Sequence, residues 1–126
     1  MKTIFIGIDI SKNSLDVAIC RDPALGIETT FKVDNSIKGI NKLIKKTREF
    51  KQDLWFCFEH TGNYGLLLMC LLQAEGLTYS VVPALEIKQS QGMTRGKSDR
   101  IDAGRIAIYA VTRSYKLKSF ELPGEN

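Results

Sequence analysis

The sequence predicts an α/β domain on a mixed sheet, with elements in the order βββαβαβα followed by a last helix. Three observations lead there. Two apolar runs, residues 4–10 and 54–59, have the near-continuous aliphatic or aromatic character of central strands covered on both faces. Residues 15–20 alternate well enough to return as a hairpin partner, and residues 27–33 alternate apolar with polar, as an antiparallel strand with one wet face does. Helical periodicity fills the intervals, and the helical stretch between the two apolar runs is long enough to carry the crossover that parallel neighbours need.

In the first strand, Ile4, Ile6, Ile8 and Ile10 share one face, and Phe5, Gly7 and Asp9 the other. Asp9 therefore sits at the end of a core strand, where an ionised carboxylate needs a cation, a proton or several donors. Residues 11–14 form a polar turn and residues 15–20 return as a hairpin partner. A turn with Pro23 and Gly26 follows, and residues 27–33 complete a three-stranded meander.

Asp34, Asn35 and Ser36 offer N-caps for an amphipathic crossover helix through residues 36 to 51. Ile37, Ile40, Leu43, Ile44 and Phe50 mark its apolar side, and lysines the other. Residues 54–59 form a buried strand ending in Glu59, and residues 60–65 a strand-to-helix loop. Residues 66–74, apolar nearly all round and stopped by Gly76, predict a buried helix. A short strand over 77–82 ends at Pro83, and a helix spans 84–91. Residues 92–97, with two glycines and two basic residues, read as a mobile loop. Ser98 caps a last helix from 99 to about 112, with Ala103, Ile106, Ala107 and Ala110 on one stripe. The first 115 residues make one domain, and residues 116–126, carrying Pro123 and Gly124, read as a connector toward a further domain absent from the chain.

With 126 residues, 44% of them hydrophobic, there is a core for one domain. The net charge of +4 is a mild bias toward polyanionic partners. It is unevenly placed: residues 38–51 hold six basic residues and one acid, and residues 86–118 eight basic residues against three acids. Cys20, Cys57 and Cys70 lie far apart in apolar surroundings, with one histidine in the chain, so a zinc set is excluded and reduced core thiols of a cytoplasmic protein are expected. The chain opens straight into a strand, so a secretory signal is not expected. The longest apolar run, 66–72, is far short of the ~20 residues that cross a bilayer.

Four acids stand out by position. Asp9 and Glu59 end two buried strands, and Asp99 and Asp102 are three apart in the predicted last helix, hence on one face of it. If the strands of Asp9 and Glu59 are parallel neighbours, both carboxylates reach one sheet edge, and the last helix need only pack across it. Carboxylates grouped this way suit Mg²⁺ or Mn²⁺, and a pair of such ions can clamp the attacking and leaving oxygens of a phosphodiester. Each acid also has a plainer reading: Asp9 as a turn residue, and Asp99 and Asp102 as partners of a helix macrodipole. His60 orders its loop. The conjunction of four acids with a basic loop favours the chemical reading.

The same residues carry a resemblance. Gly7-Ile8-Asp9-Ile10-Ser11-Lys12, Glu59-His60-Thr61-Gly62-Asn63-Tyr64 and Lys97-Ser98-Asp99-Arg100-Ile101-Asp102-Ala103 resemble, in order, the three signature blocks of the DEDD transposases, the Piv-like and RuvC-like transposases and DNA invertases of bacterial insertion sequences. The likeness runs from about Lys2 to Tyr115. It implies an RNase H-like (RuvC-like) fold, which the βββαβαβα order matches independently, and Asp9, Glu59, Asp99 and Asp102 as the catalytic, metal-binding acids. It implies Mg²⁺ or Mn²⁺ as cofactor and DNA strand cleavage and exchange in transposition or site-specific recombination as the activity. Oligomers acting on DNA and a structured guide RNA are further implied partners. Family members are typically longer, with a C-terminal domain supplying a serine to the site, so an isolated N-terminal domain is expected to be incomplete. Lys12, Arg95, Lys97, Arg100 and Arg105, around these acids, are the expected nucleic-acid contacts.

Two other readings use the same features. An actin- or sugar-kinase-type phosphotransferase also ends its first strand in Gly-Ile-Asp, but its following turn usually carries glycine for the nucleotide phosphates, and residues 10–14 have none. A non-catalytic module would hold nucleic acid with the basic loop and keep the acids as structural groups.

Overall fold

Five strands, β1 (Ile4–Ile10), β2 (Ser14–Cys20), β3 (Thr29–Asp34), β4 (Leu54–Glu59) and β5 (Thr78–Val82), form one sheet in the order β3-β2-β1-β4-β5. This computed structural model describes residues 2–60, 62–92 and 101–122. The meander β1-β2-β3 is antiparallel, whereas β1 with β4 and β4 with β5 are parallel. The most aliphatic strand thus takes the centre, and the expected mixed α/β sheet is the one observed.

The helices are α1 (Ile37–Arg48), α2 (Leu66–Ala74), α3 (Ala84–Ser90) and α4 (Ala103–Thr112), with short 3-10 turns at Gly62–Gly65 and Ser114–Lys116. One face of the sheet packs its isoleucines, Phe56, Phe58 and Tyr79 against Ile40, Leu43 and Ile44 of α1 and Leu68 and Leu72 of α2. The opposite face meets α3 and α4 in two clusters: Phe5, Cys57 and Val82 with Ile87, Ile106, Tyr109 and Ala110, and the smaller Ala18 and Cys20 with Ala103 and Ala107. Ser36 caps α1 by accepting the Gly39 N–H at 3.0 Å.

Several boundaries differ from expectation. Strand β3 starts at Thr29, because Ile27 leaves the ladder to cover Ala18, Cys20 and the start of α4. Helix α1 stops at Arg48, and Lys51 takes φ +56°, turning the chain toward β4. Helix α2 is not buried all round. Only Leu68 and Leu72 are fully covered, since a helix on the outside of a sheet can press one stripe inward. Leu66 is 49% exposed, and Cys70 is exposed, unlike the buried thiols of Cys20 and Cys57. The Cys57 thiol is pushed up to about 12 by burial.

Of the expected connector, residues 116–122 are described, and they run along the outer edge of β5. The Phe120 N–H donates to the Tyr79 carbonyl at 2.7 Å, the Ser80 hydroxyl to the Lys118 carbonyl at 2.6 Å, and the Leu122 N–H to Gln73 Oε1 at 2.8 Å. The Tyr79 carbonyl, which an edge strand would leave open, is thereby paired. Among the described residues, no helix is long and apolar enough to cross a membrane.

Candidate active site

The site is a consequence of register. Strands β1 and β4 are paired from Ile4 with Leu54 to Ile8 with Phe58, so their next residues, Asp9 and Glu59, end adjacent parallel strands side by side. Both alternate with residues of the face that α4 covers, Gly7 and Phe5 in one strand, Cys57 and Trp55 in the other. The carboxyl ends of parallel strands are where open α/β sheets place their ligands. Both acids are half-buried.

Glu59 registers the crowding. Its carboxyl is held above the ordinary value first by burial and then by the charge of Asp9, with the Lys88 ammonium on α3 opposing. Negative charge is therefore gathered at this edge at a cost in free energy that a bound cation would relieve.

Gly7 brings the last helix to the same place. A Cβ there would collide with the Ala103 carbonyl oxygen and the Ala107 backbone nitrogen and stand 2.9 Å from the Ala107 Cα. Without it, the backbone of α4 lies directly on β1, two residues from Asp9. Asp102 is the N-cap of that helix, its Oδ1 accepting the Arg105 N–H at 2.9 Å. It does not lie within the helix, as the spacing from Asp99 suggested, because its carboxylate caps the first turn from outside in extended backbone. Asp99 itself, with Ser98, Arg95, Lys97 and Arg100, lies outside the described residues.

The two remaining expected nucleic-acid residues are separate. Lys12 is exposed in the turn beyond Asp9, which the Ser11 N–H closes by donating to the Ser14 carbonyl at 2.9 Å. Arg105 is on the first turn of α4, and its carbonyl accepts from Gln91 Nε2 at 2.7 Å. His60 is exposed, and its backbone N–H donates to the Val82 carbonyl at 3.2 Å.

Sequence reasoning missed Asp16. Asp9 is paired with Asp16 across the β1-β2 ladder, and Asp16 with Lys32 across β2-β3, so Lys32, Asp16, Asp9 and Glu59 form one transverse row over four strands. The alternation of β2 shows Asp16 as merely a polar position. Only the register reveals that it stands opposite the first-strand acid. Asp9, Asp16, Asp102, Thr30 and Lys32 line a cleft of about 510 Å³ between α4 and β2-β3. A larger cavity, about 620 Å³, opens at the other end of the parallel strands beside Thr3, Arg48, Gln52 and Asp53, away from the carboxylate row.

Among the described residues, no three His, Cys, Asp or Glu side chains are gathered as a ready metal cluster. The pair Asp9 and Glu59 nonetheless has the hard oxygen donors and the unfavourable charge density that fit Mg²⁺ or Mn²⁺.

The fold is similar to that of Thermus thermophilus RuvC. One such structure, in complex with a Holliday junction substrate, has a TM-score of 0.64 at 12% identity, covering 94% of this chain and 99% of that one. Another RuvC structure has a TM-score of 0.67 at 13% identity, covering 93% and 99%. No curated protein matches by sequence. The family model DEDD_Tnp_IS110, described as a transposase, matches residues 6–126 and so takes in the strand-end acids and α4 together. A chain matched over nearly its whole length by that model, and folded like RuvC, belongs to the DEDD_Tnp_IS110 transposase family.

Proposed function

We propose that the chain performs metal-dependent DNA strand cleavage as the catalytic unit of a transposase. Asp9, Glu59, Asp99 and Asp102 are its catalytic and metal-binding acids, and residues 1–115 its RuvC-like domain, with 116–126 leading toward a further domain. The observation that carries this reading is the placement of Asp9 and Glu59 side by side at the carboxyl ends of parallel strands, under the helix that Asp102 caps. Asp9 and Glu59 would hold Mg²⁺ or Mn²⁺, and Asp102, exposed at the cleft, would stand beside them. When bound, such an ion polarises a phosphoryl oxygen and lowers the pKa of a water nucleophile.

The chain's own groups do the rest. Burial and the charge of Asp9 hold the Glu59 carboxyl above its ordinary value, and a cation held between the two acids would offset that charge. Lys12 and Arg105 flank the acids and, with Arg95, Lys97 and Arg100, would hold the DNA backbone through phosphates, which gives affinity with little sequence discrimination. Self-association and a structured guide RNA belong to the same proposal as partners that would select the target. A phosphotransferase reading has no comparable support, as the turn after β1 holds Ser11, Lys12 and Asn13 where a phosphate loop would need glycine.

The test offers the purified chain Mg²⁺ or Mn²⁺ and labelled DNA, including a four-way junction because one of the similar structures is RuvC with a Holliday junction substrate. Nicking lost in Asp9→Asn and in Glu59→Gln, together with Mn²⁺ binding weakened in the double variant by calorimetry, is expected. Equal Mn²⁺ affinity in wild type and double variant would refute the metal assignment. DNA binding without nicking under all conditions would favour the non-catalytic module.

A further inference from the structure

The carboxylate row does not end at Asp16. On β3 its next member is Lys32, whose Nζ is 3.7 Å from Asp16 Oδ1, and these two side chains are 64% and 45% exposed. That separation exceeds the ~2.7–3.2 Å of a good N–H···O hydrogen bond, and exposed pairs of this kind contribute about 0–1 kcal/mol. Lys32 is thus lightly held. Among the described residues lining the cleft it is also the one cation, where Asp9, Asp16 and Asp102 would otherwise repel any polyanion. Thr30, on the same face of β3 two residues away, adds a hydroxyl to the same wall.

We propose that Lys32 is a phosphate-contacting residue that positions a nucleic-acid strand along the β2-β3 wall of the cleft, and that Asp16 parks its ammonium there until a phosphate takes Asp16's place. The exchange is reasonable in energy, since a weak exposed ion pair is traded for a charge-assisted contact to a phosphate. It needs no covalent change. The cleft, at about 510 Å³, lies within the ~300–1,000 Å³ of small-ligand sites and has room for a nucleotide unit. This inference rests on the reading of the chain as a DNA-cleaving enzyme and adds a track by which the strand reaches the acids.

The experiment measures binding of the chain to a labelled random-sequence duplex by fluorescence anisotropy, at fixed Mg²⁺ and over a series of salt concentrations. Lys32→Ala should make the slope of log K against log salt shallower by about 0.9, equivalent to binding roughly eightfold weaker than wild type at ~0.1 M when the two bind alike at ~1 M. Lys32→Arg should restore the slope. Asp16→Asn should tighten binding by releasing Lys32 as well as by lessening repulsion, so the gain should be larger in the wild-type background than in Lys32→Ala. A thermal melt checks folding, and should Lys32→Ala melt early, the Asp16→Asn arm decides: no gain in affinity overturns the proposal. Wild-type binding with Lys32→Ala unaltered in slope would reduce the pair to a strand-to-strand contact and overturn this proposal alone. Absence of any binding by wild type would overturn the functional reading with it.

Discussion

The two faces of β1 are built from one seven-residue strand and do opposite work. Toward α1 and α2, Ile4, Ile6, Ile8 and Ile10 are nearly inaccessible and packed on large side chains. Toward α4, Phe5 packs in a cluster with Ile106, Tyr109 and Trp55 and Asp9 lines the cleft, but at Gly7 the layer is thin enough for α4 to lie on the strand itself. The thick face supplies apolar burial, which scales with area. The thin face gives up area for proximity and so brings a helix N-terminus to the strand-end acids. Stability and chemistry are therefore separable across the sheet, a division that substitutions can test.

The largest effect is expected from setting Ile8→Ala against Gly7→Ala. Ile8 is wholly buried, and truncation should cost about 2–5 kcal/mol in urea unfolding while the molecules that remain folded keep an intact site. Gly7→Ala should cost about 1–3 kcal/mol through collision with helix backbone. It should also raise amide exchange throughout α4 and abolish nicking under conditions where the protein is still folded. If Gly7→Ala cost stability alone, with α4 exchange unchanged, the thin face would not be what sets the site.

A smaller effect separates capping from chemistry at Asp102. Asp102→Ala should lose about 1 kcal/mol with the cap to the Arg105 N–H, whereas Asp102→Asn, also a good N-cap, should keep most of it. Both should lose nicking. An Asn variant that is stable and fully active would leave Asp102 a cap only.

Smallest in stability, but diagnostic in sign, is Glu59. Its carboxyl is raised above the ordinary 4.5 by burial and by Asp9, so the folded state binds its proton more tightly than the unfolded state does. The folded state is favoured below the unfolded pKa, and that advantage is lost as pH rises from about 4.5 through the raised folded pKa. Unfolding midpoints followed over this window without divalent ions should fall more steeply for wild type than for Glu59→Gln. Mg²⁺ should recover wild type above the window and leave the variant unmoved. Parallel curves for the two would mean that Glu59 does not carry the strain.

Much of this was legible in the residues because the signals are local. A run such as Ile4 to Ile10 says central strand, the spacing of Ile40, Leu43 and Ile44 says one buried stripe, and three short blocks in order named the family. The sequence by itself determined the element order, the centrality of β1 and β4, and the acids Asp9 and Glu59 at their ends. Periodicity could not say how much of an apolar helix a neighbour would cover, which is why α2 leaves Leu66 and Cys70 exposed. Nor could spacing show whether Asp102 was inside a helix or capping it, since both conformations suit the same residues and packing on Gly7 favours one. Only the tertiary structure decided that Asp16 and Lys32 extend the row begun by Glu59 and Asp9. The reason is physical: strand pairing joins residues distant along the chain through backbone hydrogen bonds, and register, which no local pattern encodes, determines which side chains become neighbours.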